Sequence, residues 1–261
     1  MNNIRKLKSQ IYSHRSYRIL TKTAKSKVFL ELVIAMILFD IVILLLYPDI
    51  TLLMNKFAKI ILSPFYQNMK IISEPFILND VYLLDITGKY PSFNFSVITA
   101  VVSSVVILIV AVQKFIIRSV SIWLIFISVI TLISALYFVF FAKYFPYSMR
   151  VFLDLYVKTI VCIWLTIPVI MIFALAPFPM NLFKKLLSIL FVLLWSMLFG
   201  ILRYVVFIFI LRKLSYIFMA DLYFVLGPFL DFIYIVGIFS FIISKLADKL
   251  HGNEEKWHWL F

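Results

Sequence analysis

Long apolar stretches separated by short polar segments make up most of the chain. Each stretch runs for about 20 residues or more, and none alternates strictly between apolar and polar residues as outer-membrane β-strands do. A helix needs about 20 apolar residues to cross the ~30 Å hydrocarbon core of a bilayer. The predicted spans are Val28–Tyr47, Phe95–Val112, Ser119–Phe141, Val151–Ala176, Leu182–Leu211 and Ile217–Ser244. We therefore predict an all-α fold, a polytopic integral membrane protein with six transmembrane helices.

The spans divide the chain into a basic N-terminal segment (1–27), a first helix (28–47), an outer segment (48–94), a five-helix bundle (95–244) and an aromatic tail (245–261). The outer segment begins with a pattern that predicts an amphipathic helix lying on the membrane surface. Its apolar face holds Leu53 and Phe57, and its polar face holds Asn55 and Lys56. The stretch FILNDVYLLDITGKYP that follows is apolar and interrupted by turn residues, which predicts a small hairpin or an extended lid.

Composition supports the membrane assignment and limits the possible partners. Hydrophobic residues make up 64% of the 261 residues and the mean hydropathy is +1.08, which excludes a soluble domain of this size. The net charge of +13 comes mainly from Lys and Arg beside the spans, so we predict contact with anionic lipid at residues 1–27 and no nucleic-acid partner. Other membrane or surface proteins are the further partners that we expect.

Charge in the connecting segments predicts the orientation. The connections at 113–118 and 177–185 each carry basic residues and no acid, which is typical of the cytoplasmic side. Both termini are then cytoplasmic, and the plasma or inner membrane is the expected location. The basic residues Lys143, Arg150, Arg212 and Lys213 fall on the opposite side and count against this topology.

Arg203 is the most informative polar residue, because it lies within the apolar run GILRYVVFIFILRKL. A guanidinium in hydrocarbon costs at least ~2.5 kcal/mol, so we expect a compensating partner. Asp154 and Asp221 come to a similar predicted depth on the neighbouring helices. With Tyr223 they would form a polar pocket around Arg203 that opens outward and clamps a carboxylate or phosphate. The alternative is structural: an ion pair that fixes helix register, or an arginine that snorkels to water.

Other polar residues are predicted at greater depth. Asp231 and Lys158 would extend the set of charges down the helix interfaces, and Asp40 in the first helix would pair with Lys158. Cys162, the only cysteine, is predicted near the bilayer midplane as a packing residue. One cysteine excludes an internal disulfide, and no Cys/His grouping has metal-ligand spacing, so we predict no metal and no cofactor.

The second half of the sequence, from LFKKLLSILFVLLWSMLFGILRYVV to LYFVLGPFLDFIYIVGIFSFIISKL, resembles exosortases and archaeosortases. These membrane transpeptidases process sorting tails of surface proteins at the outer face. The resemblance implies that Arg203 matches the family arginine, that Gly200 stands where Asn is usual, and that Gly227 matches a glycine. It places Tyr223 where the family has His, and LDLYVKTIVCIWL lacks the family's Cys-Ser-Gly.

Three functional hypotheses follow. The first is a non-catalytic, exosortase-like membrane subunit that acts in cell-envelope assembly, either of surface proteins or of polysaccharide. The second is a proton- or anion-coupled transporter, or a subunit of a membrane complex, in which charges at several depths form a pathway. The third is a cysteine transpeptidase of exosortase type that uses Cys162 with Arg203. We lean towards a protein that is not an enzyme.

Overall fold

The computed structural model describes residues 18–20, 25–66, 69–113, 117–176, 178, 180–250 and 257–259. The helices are α1 (Lys25–Leu62), α2 (Phe93–Val112), α3 (Arg118–Phe141), α4 (Met149–Leu175), α5 (Leu182–Lys213), α6 (Met219–Phe224) and α7 (Pro228–Leu250). The strands are β1 (Arg18–Leu20), β2 (Lys70–Pro75), β3 (Asp80–Asp85) and β4 (Trp257–Trp259). Within this part of the chain six helical segments are long and apolar enough to cross a membrane, the sixth running from Tyr216 to Leu246 through α6 and α7. The predicted all-α, multi-pass membrane fold is confirmed.

Helix α4 forms the centre of the bundle. Its side chains Tyr156, Ile160, Trp164 and Ile167 are fully or almost fully buried along one face. The outward faces of the other spans expose Leu, Ile, Val and Phe side chains, which suits contact with lipid instead of water. Helices α2 and α3 pack against each other as an antiparallel pair.

The first helix is longer than predicted. The sequence indicated a span that ends at Tyr47 and a separate surface helix after it, but α1 continues through Pro48 to Leu62. The second half of α1 is held by buried polar contacts: Thr51 and Asn55 are fully buried and bond to the hairpin that follows. The prediction placed Asn55 on a solvent-exposed polar face, and it was wrong because Asn55 has protein partners there.

Strands β2 and β3 form a hairpin, one of the two forms predicted, but β2 lies before the stretch 76–91 to which the prediction applied. They pair antiparallel with Lys70 opposite Asp85 and Pro75 opposite Asp80, and the chain turns at Ile77 and Leu78. The strand β3 packs between α1 and α4, where Val81, Leu83 and Leu84 are fully buried. We call the end of the bundle that carries this hairpin the hairpin end.

At the hairpin end, two backbone hydrogen bonds join the chain after β3 to the C-terminal end of α5 and to the segment that follows it. The Lys89 amide donates to the Leu211 carbonyl at 3.0 Å, and the Tyr216 amide donates to the Lys89 carbonyl at 3.1 Å. Gly88 is required beside them, since a Cβ there would come within 2.1 Å of the Tyr216 ring. Next to this contact Tyr90 donates to the Ala142 carbonyl, and burial raises the pKa of its phenol, which keeps the donor neutral.

The opposite end of the bundle joins α4 to α5. Lys185 is almost fully buried and donates from Nζ to the Ala176 carbonyl at the C-terminal end of α4 (3.0 Å), where a cation is favoured by the helix dipole. Strand β1 pairs antiparallel with β4, so Arg18–Leu20 and Trp257–Trp259 lie together. Most of the basic segment 1–27, with its predicted lipid contact, lies outside the described residues, and so do residues 251–256 and 260–261 of the tail.

Candidate functional site

The sixth span is interrupted between α6 and α7. Helix α6 ends at Phe224 and α7 begins at Pro228, so the backbone at Leu226 and Gly227 is not helical. The chain passes so close to α6 here that a Cβ on Gly227 would come within 2.1 Å of the Tyr223 carbonyl oxygen. A broken helix at membrane depth leaves carbonyl groups that need partners from the protein.

Arg203 of α5 supplies those partners. Its Nη1 donates to the Leu226 carbonyl (2.9 Å) and to the Gly227 carbonyl (2.8 Å). Its Nη2 donates to both carboxylate oxygens of Asp231, at 2.9 and 2.8 Å. The guanidinium therefore bridges the end of α6 to the first turn of α7, where a carboxylate is also favoured by the helix dipole. Arg203 is 5% exposed and Asp231 is 2% exposed, so the pair is buried.

Two hydroxyl groups extend this network. The Tyr234 hydroxyl, one turn after Asp231 on α7, donates to Asp231 Oδ1 at 2.6 Å. It also lies 2.7 Å from the hydroxyl of Ser196, which is buried two turns before Arg203 on α5. We call Ser196, Arg203, Asp231 and Tyr234 the Arg203 network. Its hydrogen bonds and ion pair join α5 to α7.

Aromatic rings close the Arg203 network on its other sides. The guanidinium carbon lies 5.9 Å from the centre of the Tyr156 ring and 5.4 Å from that of Phe199. Such contacts suit a desolvated arginine. Within the described residues, the Tyr156 hydroxyl and Arg203 Nε are buried without a hydrogen-bond partner. The two Nη atoms bond only to groups of the protein, and the remaining nitrogen, Nε, is buried.

The predicted partners of Arg203 were wrong. Asp154 bonds to Lys158 one turn away on α4 (2.8 Å), and Asp221 accepts from the Thr131 hydroxyl on α3 (2.7 Å). The partner is Asp231, which the sequence had placed deeper in the membrane. Arg203 lies 213 − 203 = 10 residues before the end of α5, and Asp231 lies 231 − 221 = 10 residues after Asp221, so the two side chains come to a similar level.

Asp40 is also placed differently from the prediction. Lys158 is taken by Asp154, and Asp40 Oδ1 has no hydrogen-bond partner among the described residues. The carboxylates of Asp154 and Asp221 likewise each keep one buried oxygen without a partner there. The charges predicted to form one graded series are therefore separate local contacts on different helices.

Tyr223 lies at a second feature, an aromatic cavity at the hairpin end. Its hydroxyl is 2.9 Å from that of Thr159 on α4, and its ring faces a cavity of about 480 Å³. The lining comes from α3, the segment 145–147, α4 and the chain from Tyr216 to Phe224, and most of its side chains are Phe or Tyr. We call it the aromatic cavity; the rings that line it include Tyr137, Phe145, Tyr147, Phe152, Tyr216 and Tyr223.

A column of rings connects the aromatic cavity to the Arg203 network. Phe152 lines the cavity and stacks on Tyr156 with ring centres 6.5 Å apart. Tyr156 stacks in turn on Tyr204 at 6.2 Å and lies over the Arg203 guanidinium.

Cys162 was predicted to be a packing residue, but it does not lie in the core. It is exposed on α4, 162 − 149 = 13 residues from the start of the helix, which is about 20 Å. Arg203 is buried, and no hydrogen bond or ion pair joins it to Cys162 within the described residues. The structure does not assemble a cysteine–arginine pair.

Sequence reasoning missed the residues that make both features. Tyr156, Ser196 and Tyr234 look like ordinary residues of apolar helices, and so do the rings of the cavity. Spacing offered one usable signal: Ser196 and Arg203 are seven residues apart, and Asp231 and Tyr234 are three apart, so each pair shares a helix face. Among the described residues no group of three or more His, Cys, Asp or Glu could hold a metal ion.

Comparison with other proteins adds no functional assignment. The chain matches no protein-family model, no curated protein and no solved structure, so the resemblance to exosortases stays a prediction from the sequence.

Proposed function

We propose that this chain is a non-catalytic membrane subunit that binds the hydrocarbon part of a lipid or lipid-linked molecule in the aromatic cavity. The cavity is the observation that carries the proposal. Its volume of about 480 Å³ falls within the ~300–1,000 Å³ of small-molecule sites, and such sites are lined mainly by apolar and aromatic side chains. The few polar groups at its wall are hydroxyls, among them Ser134 and Tyr137.

The surroundings of the cavity favour a lipid with an anionic headgroup. Phe145, Pro146 and Tyr147 form one wall, and the exposed Lys143 stands just before them at the end of α3. An ammonium group at that position suits a phosphate, while the hydrocarbon enters between the rings. The hairpin end is also the side that the basic connections assign to the exterior.

A binding role fits the polar residues better than a catalytic one. The four hydrogen bonds from the Nη atoms of Arg203 are all taken up by the protein itself, so the residue stabilises the broken span. Cys162 lies on an exposed face of α4, whereas Arg203 is buried. The proposed setting is cell-envelope assembly in a plasma or inner membrane with both termini cytoplasmic. It rests on the sequence resemblance and on the charge of the connections.

A photoactivatable, radiolabelled phospholipid with a diazirine in its acyl chain tests the proposal on the full chain in nanodiscs. Ala220 lines the cavity, so Ala220→Trp fills it, whereas Ala111→Trp adds the same side chain to the exposed end of α2. We expect labelled peptides from residues 133–155 and 216–224, and at least a five-fold loss of this label in Ala220→Trp but not in Ala111→Trp. Equal labelling of both variants at these residues would overturn the proposal.

The broken sixth span favours one second candidate, a proton-coupled transporter. Discontinuous helices with charged residues at the break form the substrate and ion sites of many transporters. Here Arg203 and Asp231 occupy that position. Liposomes loaded with a pH-sensitive dye would report proton entry under an imposed membrane potential. Transport predicts entry that Asp231→Asn abolishes, and the binding role predicts no difference from empty liposomes.

A further inference from the structure

The outer edge of the hairpin is unpaired. On β3, the Tyr82 amide donates to the Thr51 hydroxyl (3.3 Å) and the Tyr82 carbonyl accepts from Asn55 (2.6 Å). The Leu84 amide donates to the Tyr204 hydroxyl (3.0 Å). These groups point away from β2, so Tyr82 and Leu84 belong to non-hydrogen-bonded pairs of the ladder. Their partners on β2 are Ser73 and Ile71.

The amides and carbonyls of Ile71 and Ser73 therefore point away from β3 as well. Within the described residues neither makes a backbone hydrogen bond on that side. Helices cover the edge of β3, whereas the edge of β2 stays open. An open edge is a template for another strand.

The hairpin does not lie at the tip of the bundle but alongside α5, some distance before the C-terminal end of that helix. Leu84 contacts Tyr204, which is 211 − 204 = 7 residues, about 10 Å, along α5 from the level of Lys89. Its turn reaches Tyr47, whose hydroxyl bonds to the backbone of Asn79. The neighbouring surface of α1 exposes Leu53 and Phe57, which suits lipid. An unpaired β2 edge beside this apolar surface offers backbone groups that another strand can satisfy.

We propose that a second copy of this chain pairs with the β2 edge across a two-fold axis at Ile72, making a four-stranded sheet. In this register Ile71 lies opposite Ser73 of the second copy, and the two equivalent pairs exchange two hydrogen bonds each. Lys70 then lies opposite Glu74 of the second copy. The strand sequence KIISE is thus self-complementary in charge.

Within the described part of the chain, Glu74 has a free carboxylate oxygen with which it can bind Lys70 of the second copy. Arg150 donates to it through Nε (2.9 Å) and Nη2, and both bonds go to Oε1. Oε2 remains for the ammonium of Lys70, which is exposed. Pro75 has no amide hydrogen and ends the pairing beyond Glu74, so the interface is confined to residues 70–74.

Disulfide cross-linking in membranes tests the register. With Cys162 replaced by Ala, Ile72→Cys places two thiols opposite each other in a non-hydrogen-bonded pair, about 4.5 Å apart at Cα. Ile77→Cys, at the exposed turn, is the control. Mild oxidation is expected to give a covalent dimer for Ile72→Cys in at least five-fold excess over Ile77→Cys. Equal dimer from both, or a product with a different protein, overturns the proposal.

A second variant separates loss of pairing from loss of folding. Ser73→Pro, added to Ile72→Cys, removes an amide that the β2–β3 ladder does not use, so the hairpin keeps its internal bonds. We expect the dimer yield to fall at least five-fold while the melting temperature of the chain in detergent stays within about 2 °C. Lys70→Glu should lower the yield as well, since two carboxylates then face each other. An unchanged yield in both variants contradicts the two-fold register.

Discussion

The hydroxyl of Tyr204 on α5 donates to Asn55 Oδ1 on α1 at 2.7 Å, across 149 positions of the chain. The same hydroxyl accepts from the Leu84 amide, and Asn55 Nδ2 donates to the Tyr82 carbonyl. Both side chains are fully buried. This pair therefore joins α1, β3 and α5, and it satisfies the strand backbone where no other strand reaches it.

Replacing Asn55 by Ala is expected to destabilise the protein by about 1–3 kcal/mol, because the Tyr82 carbonyl and the Tyr204 hydroxyl lose a buried partner. Lys56→Ala is the matched control, since Lys56 is the next residue on α1 and is exposed. The free energy of unfolding in mixed micelles measures the effect. Hydrogen exchange should also rise at residues 80–85 in Asn55→Ala alone. Equal stability of the two variants would contradict the proposed role of the contact.

Arg203→Met is expected to cost about 3–5 kcal/mol, since it leaves the Asp231 carboxylate and the carbonyls of the break without donors in a buried site. Arg203→Lys should be intermediate, because an ammonium keeps the charge but lacks the planar fork. The melting temperature and the yield of folded protein in detergent should both decrease from the wild type to Arg203→Lys and from there to Arg203→Met.

The double variant Arg203→Met/Asp231→Leu distinguishes an ion pair from packing. Removing both charges should raise the free energy of unfolding by at least about 1 kcal/mol relative to Arg203→Met, because the uncompensated carboxylate is gone. Full recovery is not expected, since the Leu226 and Gly227 carbonyls still lack a donor. A double variant less stable than Arg203→Met would show that the pair is not the main contribution.

Gly227 and Gly237 offer a comparison within one span. Gly227→Ala is expected to destabilise the protein by about 1–3 kcal/mol, because the new Cβ would overlap the Tyr223 carbonyl oxygen at 2.1 Å. Gly237→Ala meets nothing within 4 Å and should be neutral or stabilising by up to about 1 kcal/mol, since Ala favours helix. Chemical unfolding of both variants in the same micelles gives the difference. A neutral Gly227→Ala would mean that the break can relax.

The fold followed from the sequence because hydropathy over about 20 residues is a strong, local signal. The ends of α2, α3 and α4 lie within two residues of the predicted spans. A small hairpin was one of the two forms expected for residues 76–91, although its first strand lies before them. The extension of α1 was not, because Thr51 and Asn55 continue a helix through Pro48 only with help from β3, which is a tertiary effect.

The charged site was harder to predict. The sequence identified Arg203 as a residue that needs a carboxylate, which is correct, but it ranked Asp154 and Asp221 above Asp231. That ranking measured the depth of Arg203 from the Lys185 end of α5 and did not count the ten residues (213 − 203) by which α5 continues beyond it. Asp154 was also available to Lys158 at a spacing of four residues, and this local pair removes it from longer-range contacts. The cavity had no local signal, since its rings come from four segments.

The exposed position of Cys162 leads to the last prediction, in which neighbouring residues should respond in opposite ways. Cys162→Phe should change the free energy of unfolding by less than about 0.5 kcal/mol, because the larger side chain extends into lipid or detergent. Val161 is fully buried, so Val161→Phe should cost about 1–3 kcal/mol through overpacking. If Cys162 were a core residue, as its place at the middle of an apolar span suggested, both variants would lose stability to a similar degree. Thermal unfolding of the two proteins in the same nanodiscs therefore decides whether this face of α4 meets lipid.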